Sequence, residues 1–123
     1  MIFDPTWSIE LKIQMLQRYI LVNSLAYYEL NENIHPDYVY DANAVQLAML
    51  MRTYPEKALK TRYAACFYDF CGDDDSSHYV SGFDLLQRLR ESDYDLYECV
   101  YSQANAVLNI KRRMKNTTMR FRR

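Results

Sequence analysis

Fifteen residues, 27–41, gather aromatic and acidic side chains that could bind a small molecule. The stretch contains four tyrosines, two aspartates and one of the two histidines of the chain. Tyrosine rings stack on other flat rings, and carboxylates accept hydrogen bonds from hydroxyl and amide groups. If a helix–helix elbow brings these groups together, they form a small site for a flat polar ligand. They could equally form the ordinary corner of a helical core.

The elbow depends on two helices, one on each side of it. Apolar residues recur at helical spacing from about Thr6 to Asn31, which predicts a long first helix with Asp4 as N-cap and Pro5 in its first turn. Pro36 disfavours helical geometry in the residue before it, so the chain should turn there.

The second helix is predicted to run from Asp37 or Tyr38 to Thr53. Asp37 is placed as its N-cap. Asp41 follows in the first turns, where a carboxylate suits the positive end of the helix dipole.

The rest of the chain predicts shorter helices and one long one. A segment from Glu56 to about Phe70 has an apolar side, and residues 71–80 form an exposed acidic loop. Ser77 or Ser81 could cap a short helix rich in leucine. A last helix is predicted to begin at a Ser92–Asp95 capping box and to continue to about Met114.

The composition favours an all-α fold. Two glycines and three prolines in 123 residues provide too few turns for a chain of many β-hairpins. We therefore expect a single helical domain over residues 1–114, with two long helices meeting at an elbow near residues 31–37 and a long C-terminal helix. Residues 115–123 are expected to form a basic, flexible tail.

Charge and hydropathy limit the environments in which the chain could act. Residues 1–110 hold eight Lys/Arg and all sixteen Asp/Glu, a net charge of −8, whereas residues 111–123 carry seven Lys/Arg and no acid. No long apolar run predicts a membrane span, and the first residues lack the pattern of a signal peptide. Three cysteines (Cys66, Cys71 and Cys99) without metal-binding spacing suggest reduced core thiols in a cytoplasmic protein.

The elbow sequence resembles a known family. Tyr27 ends the first helix, and after a short turn the segment Pro36-Asp37-Tyr38-Val39-Tyr40-Asp41 begins the second. This arrangement resembles the N-terminal domain of NAD-dependent DNA ligases. It also resembles small stand-alone proteins of bacteriophages and prophages that carry this domain without a ligase. The similarity covers roughly residues 10–55.

The resemblance implies a ligand and roles for individual residues. In the ligases this domain binds the nicotinamide mononucleotide half of NAD. By resemblance, Tyr27 and Tyr40 would hold the nicotinamide ring between them, and Asp37 and Asp41 would contact its amide or ribose hydroxyls. Tyr28 stands where the ligases usually have a histidine that faces the phosphate. We still expect Tyr28 to contact the ligand, but not its phosphate.

The same comparison argues against catalysis. The Lys-x-Asp-Gly motif of the ligase nucleophile is absent from the sequence, so self-adenylylation is not expected. We expect no required cofactor and no enzymatic activity. The expected ligands are nicotinamide mononucleotide or NAD, bound in the cytoplasm of a bacterial host.

Other residues suggest different sites. Asp73, Asp74, Asp75 and His78 lack the spacing of a calcium loop, so a solvated acidic loop is the simpler interpretation. His35 could touch a ligand phosphate or be an ordinary surface histidine.

The charged surfaces suggest an alternative function. A phage protein of this size could oppose a host defence system, for example as an anti-CRISPR protein, through an acidic surface that occupies a nucleic-acid channel. The basic end could bind nucleic acid, an acidic protein or a second copy of the chain. The candidate residues for such contacts are Asp73, Asp74, Asp75, Arg112, Arg113, Arg120, Arg122 and Arg123.

Overall fold

The first helix lies at the centre of the molecule. In the computed structural model this helix packs against all three of the other helices that have ten or more residues. Its core side chains are fully buried, namely Ile13, Leu16, Ile20, Leu21 and Leu25. A helix buried on several sides needs a wide apolar surface, which accounts for the broad apolar pattern in this part of the sequence.

The structure describes residues 1–70 and 80–120, with residues 116–120 in backbone only. Within these ranges the prediction of an all-α fold is confirmed, since six helices and no strand are found. The helices are α1 (Ile9–Glu29), α2 (Asp37–Thr53), α3 (Pro55–Ala58), α4 (Ala64–Phe67), α5 (Gly82–Ser92) and α6 (Tyr94–Arg120). None of the helices described has both the length and the apolar character needed to cross a bilayer.

The predicted start of α1 was wrong. The helix begins three residues later than Thr6, and its N-cap is Ser8, whose hydroxyl accepts a hydrogen bond from the Leu11 amide. Asp4 instead closes a local turn, because its carboxylate accepts hydrogen bonds from both the backbone and the side chain of Thr6. An aspartate before a proline is as typical of such a turn as it is of a helix start.

Two further helix caps differ from the predictions by one residue. The bounds of α2 agree with the prediction, but its N-cap is Pro36, so Asp37 is the first helical residue and not the cap. For α6 the Leu96 amide donates to the Asp93 carboxylate, so Asp93 takes the role predicted for Ser92. The N-cap of α5 is Ser81, one of the two serines predicted for this role, and it forms a capping box with Asp84.

The middle and the end of the chain also differ from the prediction. Residues 55–70 form two four-residue helices separated by a turn, which leaves Leu59 73% exposed while Phe67 is fully buried. The C-terminal helix does not end near Met114 but continues to Arg120, so six residues of the predicted tail are helical. Residues 121–123 lie outside the described part of the chain.

Candidate functional site

The elbow between α1 and α2 is built by a left-handed residue and a proline. Leu30 and Glu32 donate backbone hydrogen bonds to the Ala26 carbonyl, which ends α1. Asn31 between them has a φ of 54°. Asparagine adopts this left-handed conformation more readily than most residues. Pro36, with extended backbone, then begins α2.

A cavity of about 180 Å³ opens on the inner side of this elbow. We call this cavity the elbow pocket. All five residues predicted from the sequence to bind a ligand line it, namely Tyr27, Tyr28, Asp37, Tyr40 and Asp41. Six others complete its wall: Asn23, Ser24, Asn33, Ile34, His35 and Gly82. The groups expected to meet at the elbow therefore surround one accessible hollow.

The aromatic rings of the elbow pocket are partly exposed and arranged edge to face. The rings of Tyr27 and Tyr28 lie 4.9 Å apart and perpendicular, and Tyr28 packs against Phe83 of α5 at 5.9 Å. Tyr27 and Tyr28 remain 56% and 46% exposed, so both present ring surface to a ligand. Tyr40 is more buried, and its hydroxyl lies 3.2 Å from the Ser24 hydroxyl.

Two carboxylates stand on the α2 side of the elbow pocket. Asp37 and Asp41 are four residues apart in α2, which places them one above the other on the same helix face. Both side chains are exposed, and neither forms an ion pair with another described residue. They are therefore available to accept hydrogen bonds and to attract a positive charge.

The loop that forms the rim is held from outside by α6. The Lys111 ammonium donates to the carbonyls of Asn33, at 2.7 Å, and Ile34, at 3.3 Å. Arg112, on the same helix, forms an ion pair with Glu32. These contacts tie the rim to a helix whose Leu108 is fully buried.

The opposite wall depends on a glycine at the start of α5. A Cβ atom at Gly82 would overlap the Ser24 hydroxyl, would lie 2.8 Å from the Ser24 Cβ and would approach the Tyr28 ring. Only glycine allows α5 to approach α1 this closely. This contact brings α5 into the wall of the elbow pocket.

His35 closes one side of the elbow pocket, and its ring is held by Tyr19. The two rings stack at 5.5 Å with a 14° angle, and the His35 Nδ1 lies 3.0 Å from the Tyr19 hydroxyl. Burial raises the pKa of Tyr19 above its ordinary value of 10.0, so the phenol is protonated at neutral pH. His35 is exposed, and its contacts with Tyr19 position its ring at the edge of the elbow pocket.

Some wall residues were not predicted, although two of them carry a local signal in the sequence. Asn23 and Ser24 precede Tyr27 by four and three residues, so helical spacing places them on the same face of α1. Gly82 is one of only two glycines in the chain and follows a helix-capping serine. Its contact with α1 joins residues far apart in sequence, and no local pattern predicts such a contact.

None of the other candidate residues whose side chains the structure describes lines the elbow pocket. Asp73, Asp74, Asp75, His78, Arg122 and Arg123 lie outside the described residues, and Arg120 is described in backbone only. Arg112 holds Glu32, whereas Arg113 is exposed on α6. No cluster of His, Cys, Asp and Glu within the described ranges could hold a metal ion.

The cysteines differ from the expectation that all are core thiols. Cys66 is buried and reduced, and burial raises its pKa to about 11. Cys99 is reduced but exposed on α6, so for this residue the expectation was wrong. Cys71 lies outside the described residues.

Comparisons with protein-family models, curated proteins and solved structures found no match for this chain. The resemblance to the ligase domain therefore rests on the elbow sequence alone.

Proposed function

We propose that this chain is a non-catalytic binding protein whose elbow pocket holds the nicotinamide ring of a nicotinamide nucleotide or nucleoside. One observation carries the proposal. The five residues that the sequence predicts to bind a ligand all line one cavity. A ring-sized hollow with tyrosine faces on one side and two carboxylates on another suits a flat ring that bears a positive charge.

The size of the elbow pocket favours one ring over a whole dinucleotide. Pockets that enclose drug-sized ligands have volumes of about 300–1,000 Å³, whereas the elbow pocket measures about 180 Å³. In this proposal the ring enters the hollow and the remainder of the ligand lies at its mouth. Stacking and cation–π attraction on a tyrosine face contribute about 1–2 kcal/mol when water is excluded.

The proposal includes no chemical step. The buried thiol of Cys66, with a pKa of about 11, is protonated at neutral pH and is a poor nucleophile. The described residues that line the elbow pocket include no lysine, arginine or metal-binding cluster. Ser24 and His35 both line it, but the hydroxyl of Ser24 contacts Tyr40 and the ring of His35 contacts Tyr19. We propose that the protein binds, and thereby sequesters or senses, the ligand in the cytoplasm of a bacterial host, as a phage-encoded relative of the ligase domain would.

Calorimetric titration with nicotinamide mononucleotide and nicotinamide riboside tests this proposal. The variant Tyr27→Ala removes one exposed ring of the elbow pocket, and we expect it to weaken binding about tenfold. Tyr38→Ala is the matched control, because Tyr38 is 75% exposed in the same elbow region but does not line the cavity. If the native protein binds neither compound at millimolar concentration, the proposal fails.

The charge distribution favours a second candidate, a protein inhibitor that acts through its charged surface. The body is strongly acidic and the C-terminal end strongly basic, and the basic end begins on a helix that continues to Arg120. The partner in this proposal is a host defence protein with a nucleic-acid channel. Reversal of charge at Asp73, Asp74 and Asp75 should then abolish function while Tyr27→Ala leaves it intact.

A further inference from the structure

Among the described residues that line the elbow pocket, the carboxylates are not balanced by a basic side chain. Asp37 and Asp41 are acidic, and none of these eleven described residues is lysine or arginine. His35 is the one histidine among them, and its Nδ1 lies 3.0 Å from the Tyr19 hydroxyl. From the described part of the wall, a ligand thus meets carboxylates without a lysine or arginine beside them.

Three described basic side chains that contact segments beside the elbow pocket are already engaged. Lys111 donates to the backbone of the rim, Arg112 pairs with Glu32, and Arg90 pairs with Glu29. A phosphate group is normally bound by such residues, since they offer charge and several donors. If one of these side chains bound a phosphate, it would have to give up the contact described here.

The start of α5 does not provide a phosphate site either. The N-terminus of a helix attracts anions through its dipole and its free amides. Here the carboxylate of Asp84 already accepts the Ser81 amide, and the Ser81 hydroxyl accepts the Asp84 amide. The chain therefore places its own negative charge at this end, next to Gly82 in the wall.

From this distribution we infer that the elbow pocket selects a flat organic cation without a phosphate group. Within the function proposed above, on which this inference rests, the preferred ligand is the nucleoside nicotinamide riboside. The pyridinium charge lies between the tyrosine faces and the two carboxylates, which also accept hydrogen bonds from ribose hydroxyls. A 5′-phosphate adds a charge of about −1.5 to −2, which the same carboxylates repel.

Four compounds separate the two parts of this inference. The affinities of nicotinamide riboside and nicotinamide mononucleotide differ only through the phosphate. The affinities of 1-methylnicotinamide and nicotinamide measure the effect of the positive charge on the ring. We expect the riboside to bind about tenfold more tightly than the mononucleotide, which is about 1.4 kcal/mol. The difference should shrink in high salt, because salt screens exposed charges. The methylated cation should likewise bind more tightly than neutral nicotinamide.

Variants of Asp41 test whether its carboxylate causes the preference. Asp41→Asn should reduce the difference between riboside and mononucleotide, and Asp41→Arg should reverse their order. Asp95→Asn, at an exposed acidic site of α6 outside the elbow pocket, is the control and should leave both affinities unchanged. Circular dichroism confirms that each variant is folded.

The possible outcomes distinguish the inference from the proposed function. Equal or tighter binding of the mononucleotide by the native protein overturns the inference but leaves the proposed function standing. Equal binding of nicotinamide and 1-methylnicotinamide overturns the part that concerns ring charge. If none of the four compounds binds at millimolar concentration, both the inference and the proposed function fail.

Discussion

Two neighbouring surfaces of the molecule use the same types of residue in different ways. Tyr28 lines the elbow pocket, whereas Glu29, the next residue, belongs to a cluster with Arg90 and Tyr97, which we call the tyrosine–arginine cluster. There the Glu29 carboxylate accepts hydrogen bonds from both Arg90 and Tyr97, and the guanidinium lies 4.6 Å from the Tyr97 ring centre. The chain supplies its own cation at this surface.

The elbow pocket differs in that no described residue supplies such a cation. Like the tyrosine–arginine cluster it combines tyrosines with carboxylates, but none of the described residues that line it is an arginine or lysine. The tyrosine–arginine cluster thus contains its own cation, whereas the described lining of the elbow pocket pairs Asp37 and Asp41 with none. The comparison teaches that residue type alone does not mark a binding site, because the same types can be paired with each other in one place and exposed in another.

The largest expected effect comes from filling the wall of the elbow pocket. Gly82→Ala places a Cβ atom against Ser24 and should force α5 away from α1, at a cost of about 1–3 kcal/mol in the free energy of unfolding. Urea denaturation measures this cost. The double variant Gly82→Ala/Ser24→Gly removes the overlapping atoms and should cost less than the sum of the two single changes. Strict additivity would contradict this contact.

The same substitution in both regions tests the comparison directly. Tyr97→Phe removes a hydroxyl that bonds Glu29 and Arg90, and we expect it to lower the free energy of unfolding by about 1–2 kcal/mol. Tyr27→Phe removes the hydroxyl of a tyrosine that is 56% exposed, and its effect should stay within about 0.5 kcal/mol. Equal losses in the two variants would show that the regions do not differ as described.

A buried polar residue extends the comparison to the interior. Gln17 is fully buried in α1, and neither atom of its side-chain amide has a hydrogen-bond partner among the described residues. Gln17→Met keeps a long unbranched side chain and removes the cost of burying the amide. The variant should be more stable by about 1 kcal/mol in thermal or urea unfolding. A loss of stability would mean that the amide is satisfied.

The smallest effect concerns alkaline pH. Burial, and then the hydrogen bond to Glu29, raise the pKa of Tyr97 above its ordinary value of 10.0. The folded state therefore favours the neutral phenol. Its contribution to stability is complete below pH 10 and is lost as the pH rises through the raised pKa. The pKa of Cys66, raised from 9.0 to about 11, adds a similar loss between those values.

Unfolding in urea at several alkaline pH values measures this dependence. The free energy of unfolding should fall from about pH 9 upward, and Tyr97→Phe should make the fall less steep above pH 10. An unchanged slope in Tyr97→Phe would contradict the raised pKa that is assigned to this residue.

The sequence predicted the parts of the fold that depend on local patterns. Helical spacing indicated α1, α2 and α6, and Pro36 located the elbow. Helix starts were less predictable because Asp4 and Ser92 have the residue types of caps, while Ser8 and Asp93 nearby form the caps instead. Choosing between such neighbours requires knowledge of which backbone amides remain unpaired, and this depends on packing.

The elbow pocket was predictable only in part, for a related reason. Its five predicted residues share a short stretch of sequence, so local reasoning could group them. Gly82 and the clamp by Lys111 come from distant segments, and only tertiary contacts bring them to the elbow. The charge around the cavity also depends on the ion pairs that Arg90 and Arg112 form with Glu29 and Glu32. No sequence motif specifies these pairs.

The central claim is that the rings and carboxylates of the elbow pocket receive a pyridinium ligand. NMR titration with nicotinamide riboside tests it most directly, since the ring resonances of Tyr27, Tyr28 and Tyr40 can be followed. We predict saturable shifts at these rings, smaller in Asp41→Asn and absent from exposed Tyr38. If the resonances of the three rings remain unchanged at millimolar ligand, the claim is contradicted.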